Sequence, residues 1–101
     1  MTAKKLSILI PAFNEEKSIT KTLEKIKQVE LINSIEKEVI VINDCSVDNT
    51  EGVVLGYKGE NPMLLMRYVK NEKNSGKGFS IRRGIQEATG DYIIVQDADL
   101  E

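Results

Sequence analysis

Asp97-Ala98-Asp99-Leu100-Glu101 sets acidic side chains at alternate positions. They follow Tyr92-Ile93-Ile94-Val95-Gln96, an apolar run that reads as a buried strand. Carboxylates two residues apart can turn toward one point where a strand runs out. Hard oxygen donors around a point suit a divalent cation, Mg2+ or Mn2+. Such a cation lets a diphosphate sit beside carboxylates. A polar turn with an aspartate capping a following helix is the other reading of the same residues. The chain has no histidine, so its chemistry must rest on carboxylates, lysines, arginines and backbone groups.

Three further stretches carry chemistry. In Pro11-Ala12-Phe13-Asn14-Glu15, Phe13 offers a flat face to a nucleobase and Glu15 an acceptor for base or ribose; a strand-end turn with one buried aromatic is the alternative. Asp44 can accept ring N–H groups of a nucleobase, or close an Asx-turn within Asn43-Asp44-Cys45-Ser46. In Asn74-Ser75-Gly76-Lys77-Gly78, two glycines allow close backbone approach at a helix start that favours anions, and Lys77 adds positive charge. A loop-to-helix junction with Lys77 in water is the alternative. The stretch is not a P-loop, because Asn71 stands where the first glycine belongs and Gly78 where Ser or Thr belongs. Arg82 and Arg83 are adjacent and cannot both face a site; Arg82 is the candidate and Arg83 is expected in solvent. Cys45 reads as a small packed residue, having no histidine partner.

The elements that must position these residues alternate along the chain. Leu6 to Ile10 reads as a strand ended by Pro11, with Ser18 capping an amphipathic helix that carries Ile19, Leu23 and Ile26. Glu38 to Ile42 is a second strand, apolar on both faces as in sheets covered by helices on both sides. Ser46 or Asp48 caps a second helix through about Tyr57, Leu64 to Val69 is a third strand, and a third helix runs from Lys77 to Ala88, stopped by Thr89-Gly90. Tyr92 to Gln96 is the fourth strand. The order βαβαβαβ predicts an α/β fold with an open, mostly parallel sheet. Right-handed crossovers put the first two helices on one face, and the third on the other if strand order reverses beside strand one, giving 3-2-1-4. The loops after strands one, two and four then meet at that reversal.

The bulk numbers agree. The 101 residues are 41% hydrophobic and 30% charged, with a net charge of −2, which suits a globular domain and gives no support for a nucleic-acid partner. No apolar stretch reaches membrane-spanning length. Cys45 is the single cysteine, so a reducing, cytoplasmic location is expected, with membrane association left to a full-length parent.

Four stretches together resemble a family: Ile8 to Glu16, Val41 to Thr50, Asn74 through Gly84, and Ala88 through Glu101. In this order they are similar to the N-terminal nucleotide-binding half of inverting family-2 glycosyltransferases of the Rossmann-like GT-A fold, nearest the dolichol-phosphate mannose synthase branch and its bacterial relatives. The resemblance implies that Pro11, Ala12, Phe13, Glu15, Ile42 and Asp44 line a nucleoside pocket. It implies that Gln96, Asp97 and Ala98 contact ribose and diphosphate, that Asp97, Asp99 and Glu101 surround a Mg2+ or Mn2+ ion, and that Lys77 and Arg82 border the donor. The implied donor is a UDP- or GDP-linked sugar, and the implied acceptor a polyprenyl phosphate, or else a saccharide hydroxyl.

The chain departs from the family pattern in places. Phe13 stands where tyrosine is usual, Asn43 replaces the first of an Asp-Asp pair, and Glu101 stands where the mannose synthases often have glutamine. No catalytic base is identifiable. Residues 1–101 are expected to be the donor half alone, ending just after the D-x-D, inactive by themselves and prone to self-association through an exposed fourth strand. A sugar-nucleotide pyrophosphorylase would want a glycine-rich loop after strand one, and a dinucleotide-dependent oxidoreductase a G-x-G-x-x-G there; Pro11-Ala12-Phe13-Asn14 is neither. A non-catalytic nucleotide-binding module stays open.

Overall fold

The structure, a computed structural model, describes residues 4–30 and 35–99. Four strands and three helices alternate: β1 (Lys5–Ala12), α1 (Ile19–Gln28), β2 (Glu36–Asn43), α2 (Thr50–Glu60), β3 (Met66–Lys70), α3 (Lys77–Glu87) and β4 (Tyr92–Val95). All pairings are parallel, as the alternation predicts, and the order is β3-β2-β1-β4, with the expected reversal beside β1.

The period of two along each strand divides the core. Ile8, Ile10 and Ala12 of β1 and Val39 and Val41 of β2 face one side, where Ile19, Leu23 and Ile26 of α1 and Val54 and Tyr57 of α2 cover them. Leu9, Ile40 and Ile42 face the other side, under Ile81 of α3 and Ala88. The same alternation puts Ser7 and Glu38 beneath the end of α3. There Glu38 Oε2 accepts from Ser7 Oγ (2.7 Å) and from the Thr89 N–H (3.0 Å), and Oε1 accepts from Thr89 Oγ1 (2.9 Å). A buried strand carboxylate thus clasps the α3–β4 turn.

Gly90 completes this clasp. A Cβ there would lie 2.7 Å from the Ser7 backbone nitrogen and 2.5 Å from its Oγ. The residue is glycine because two backbones approach, and no left-handed φ is involved; α3 itself ends at Ala88 in extended conformation.

Three expectations need correction. Pro11 does not end β1 but sits inside it, opposite Ile42. The Leu9 carbonyl accepts from Gln96 and the Ala12 carbonyl from Asp44, so alternate backbone groups serve β4 and β2. Pro11 falls on the β4 side, beyond the last rung, Leu9 with Val95, and its missing N–H costs no ladder bond. Ser18 occupies the N-cap position of α1 as expected, but its Oγ donates to Glu15 Oε1 and makes no capping bond; Ser46 Oγ donates to Asn43 Oδ1, and it is Asp48, the other candidate, that accepts the Thr50 N–H that opens α2. β4 is not buried; Tyr92 is 66% and Ile94 47% exposed. Among the described residues it has β1 as its one neighbour, so its second edge is open.

Candidate functional site

The carboxyl ends of β1, β2 and β4 and the start of α3 enclose an open crevice of about 410 Å³, lined by Pro11, Ala12, Phe13, Glu15, Asp44, Lys77, Ser80, Asp97, Ala98 and Asp99. Loops from three parts of the sequence converge at the switch point of the sheet, where ligands of open α/β sheets bind.

Asp44 is the best-held side chain in it, only 6% exposed. Its Oδ1 accepts from Asn71 Nδ2 (2.9 Å) and the Ser75 N–H (2.7 Å), and its Oδ2 from the Gly76 N–H (2.8 Å). Burial pushes this carboxyl up, but the bonds from Ser75, Asn71 and Gly76 outweigh it and hold it below its ordinary range. The carboxylate therefore fixes the β3–α3 loop. Gly76, at φ 95°, makes the turn that sends its N–H to Asp44 and leaves Lys77 as the first residue of α3.

Lys77 Nζ donates to Asp97 Oδ1 at 2.8 Å across the crevice. Both side chains are mostly exposed, so the pair marks proximity more than stability. Ala98 turns inward: its carbonyl accepts from Thr22 Oγ1 of α1 (2.7 Å, buried), which pins the D-x-D turn to the core while Asp97 and Asp99 line the crevice. On the opposite wall the Glu15 N–H donates to Thr50 Oγ1 and Ser46 Oγ accepts from the Asn14 N–H. Asn14, at φ 55°, accepts the Val47 N–H with its Oδ1.

The expected donor residues divide. Pro11, Ala12, Phe13, Glu15, Asp44, Lys77, Asp97, Ala98 and Asp99 are brought together. Ile42 is not: alternation turns it under α3 with Leu9 and Ile40, fully buried. Gln96 turns the other way, into a small apolar cavity beside α1 with Ile8 and Ile26. Arg82 lies on the outer side of the Asn71–Gly76 loop, in a separate cavity with Lys73 and Phe79. Arg83, expected in solvent, donates to the Lys70 carbonyl (2.7 Å) and to Asn71 Oδ1 (3.1 Å). Asn71 and Ser80 were not singled out by type or spacing. The signal for Asn71 was its place, directly after β3 as Asp44 follows β2.

Carboxylates two residues apart, opening on one crevice, have the donor chemistry a hard divalent cation requires, so Asp97 and Asp99 fit such an ion. Among the described residues no group of three potential ligands forms, and Glu101 lies outside them.

A model of glycosyl transferase family 2 matches residues 7–101. A prophage bactoprenol glucosyl transferase homolog of Escherichia coli (strain K12) is 34% identical over 97 residues, 96% of this chain and 31% of that protein. The dolichyl-phosphate beta-glucosyltransferase ALG5A of Trichomonas vaginalis is 34% identical over 99 residues, 93% of this chain and 30% of the relative. This chain thus spans about three-tenths of the length of these relatives. Among solved structures, the mannosyltransferase PcManGT of Pyrobaculum calidifontis, in complex with GDP-Man and Mn2+, superposes with a TM-score of 0.89 over 98% of this chain and 28% of that one, at 24% identity, a likeness of fold. The glucosyl-3-phosphoglycerate synthase of Mycobacterium tuberculosis, in complex with Mn2+, UDP and glucosyl-3-phosphoglycerate, superposes with a TM-score of 0.76 at 26% identity, over 97% of this chain and 34% of that one.

Proposed function

The chain belongs to glycosyl transferase family 2, and from that premise we propose that its crevice holds the nucleoside diphosphate of a sugar donor. The observation that carries the proposal is the meeting of Phe13, Glu15 and Asp44 with Lys77, Asp97 and Asp99 around one opening. The first three suit a nucleoside, with a ring to stack on and acceptors for N–H and hydroxyl groups. The last three suit a diphosphate and its cation. UDP and Mn2+ in the M. tuberculosis relative support this division.

A divalent cation at Asp97 and Asp99, when bound, would neutralise charge that develops on the departing diphosphate. Lys77 stands within reach of the same group and adds a fixed positive charge at the α3 N-terminus. Asp44 holds the Ser75 and Gly76 backbone, so the nucleoside end and the diphosphate end of the site are built on one loop.

The reaction of the whole protein is proposed as sugar transfer with inversion to a polyprenyl phosphate. The bactoprenol and dolichyl-phosphate relatives support that acceptor. A phosphate nucleophile is already anionic and needs no protein base. These residues would hold the donor, with the acceptor met elsewhere. Mg2+ and Mn2+ both fit the donor set.

The test is calorimetric titration of UDP and GDP with and without Mn2+. Metal-dependent binding is expected. A folded chain that binds neither nucleotide would refute the donor site. Transfer of labelled sugar to undecaprenyl phosphate by the 101 residues alone would refute the division of labour.

A further inference from the structure

Asp44 has less to offer a nucleobase than a free carboxylate. A carboxylate has about four acceptor positions. On Asp44 three are filled, two on Oδ1 by Asn71 Nδ2 and the Ser75 N–H and one on Oδ2 by the Gly76 N–H. A single position is left, on Oδ2.

The Asn71 bond is enforced. Arg83 carries only donors, so the Asn71 amide must turn its oxygen to Arg83 Nη1 (3.1 Å). A carboxylate carries only acceptors, so the amide nitrogen must face Asp44 (2.9 Å). The same nitrogen donates to Ser80 Oγ (2.9 Å), the Asn71 backbone N–H bonds the Asn43 carbonyl (2.8 Å), and the residue is 0% exposed. Arg83 is itself held by the Lys70 carbonyl at 2.7 Å. The amide therefore cannot withdraw from Oδ1 without losing partners on both of its ends.

Uracil presents one ring N–H between two carbonyls. Guanine presents a ring N–H beside an exocyclic amine, two adjacent donors that a carboxylate satisfies with both oxygens. With Oδ1 filled, Asp44 can pair uracil's single donor but only one of guanine's two. We infer that this crevice selects uracil, and that Asn71, oriented by Arg83, is the residue that excludes guanine. The inference rests on the donor-site reading above and extends it to the class of nucleotide.

UDP and GDP share the diphosphate, so titrating both at saturating Mn2+ isolates the base. UDP is expected to bind tighter by about tenfold, the scale of one hydrogen bond to a carboxylate. Asn71→Ala, checked for folding by circular dichroism, is expected to narrow that ratio by strengthening GDP binding. Asn71→Leu, which removes the amide and keeps its volume, is expected to act in the same direction and serves where Asn71→Ala does not fold. Arg83→Lys, which keeps only donors at this point, is expected to keep the ratio. GDP binding as tightly as UDP, or a ratio unmoved in the folded Asn71 variants, overturns the inference and leaves the donor site standing. Metal-dependent binding of neither nucleotide overturns the donor site and this inference with it.

Discussion

Cys45 and Asn14 both adopt left-handed backbone, at φ 56° and 55°, in the loops that frame the crevice. Such a conformation costs an L residue about 1 kcal/mol. Asn14 recovers the cost, because its Oδ1 accepts the N–H of Val47. Cys45 recovers little: its Sγ makes one long contact, 3.7 Å, with the Glu72 carbonyl. Cys45→Gly should therefore raise stability by up to about 1 kcal/mol, after the entropy glycine adds to the unfolded chain. Asn14→Gly should lower it by about 1 kcal/mol despite the easier backbone, through the lost bond. Urea denaturation of both variants checks the pair, and a shift in the same direction for both would contradict it. At this scale residue types announced most of the crevice, Phe13, Glu15, Asp44, Lys77 and Asp97 among them. What type and spacing could not give was direction. Ile42 and Gln96 lie at the right places along their strands, but their side chains turn away from the opening. Neither Arg82 nor Arg83 lines the crevice, and it is Arg83 that reaches inward, to Asn71, because the helix rotation that decides between neighbours depends on how α3 seats on the sheet.

The α3–β4 turn is where an element depends on a few atoms. Gly90→Ala would press a methyl group onto the Ser7 backbone, and a destabilisation of about 1–3 kcal/mol is expected, the usual cost of overpacking. A melting temperature equal to that of the unaltered chain would contradict the close approach. The turn is also held by Glu38. Burial pushes its carboxyl up, but the bonds from Thr89 and Ser7 and the nearby Lys5 charge outweigh it and hold it low. Asp44 is likewise held low. A carboxylate that titrates lower when folded stabilises at pH above its ordinary value and loses that contribution as pH falls through the folded value. The urea midpoint should thus hold steady above about pH 4.5, the ordinary glutamate value, and decline below it. Glu38→Gln should flatten part of that decline, and an unchanged slope in the variant would contradict the clasp. The elements themselves were legible because period and punctuation agreed over most of the chain. Their ends were less so: β1 runs through Pro11, whose missing N–H is harmless only because β4 stops short.

At the scale of the molecule, alternation gave a parallel sheet and handedness the sides of its helices, while the reversal beside β1 that brings three loops to one switch point stood as a condition, which the structure meets. The state of β4 shows the limit of that reasoning. Tyr92, Ile93, Ile94 and Val95 are apolar enough to be buried, yet all are exposed, since burial depends on what pairs with the outer edge. We expect the chain to self-associate through this edge, as unpaired apolar strands do. Sedimentation should show mass rising with concentration, and Ile94→Lys should suppress it; a monomer at all concentrations would contradict the expectation. The central claim, however, concerns the crevice. Its most direct test is Mn2+-dependent binding of UDP, measured by calorimetry on this chain and on an Asp97→Ala/Asp99→Ala double variant shown to be folded. The account predicts binding that needs the metal and disappears in the variant. Binding that survives the loss of both carboxylates, or proceeds equally without metal, would contradict it.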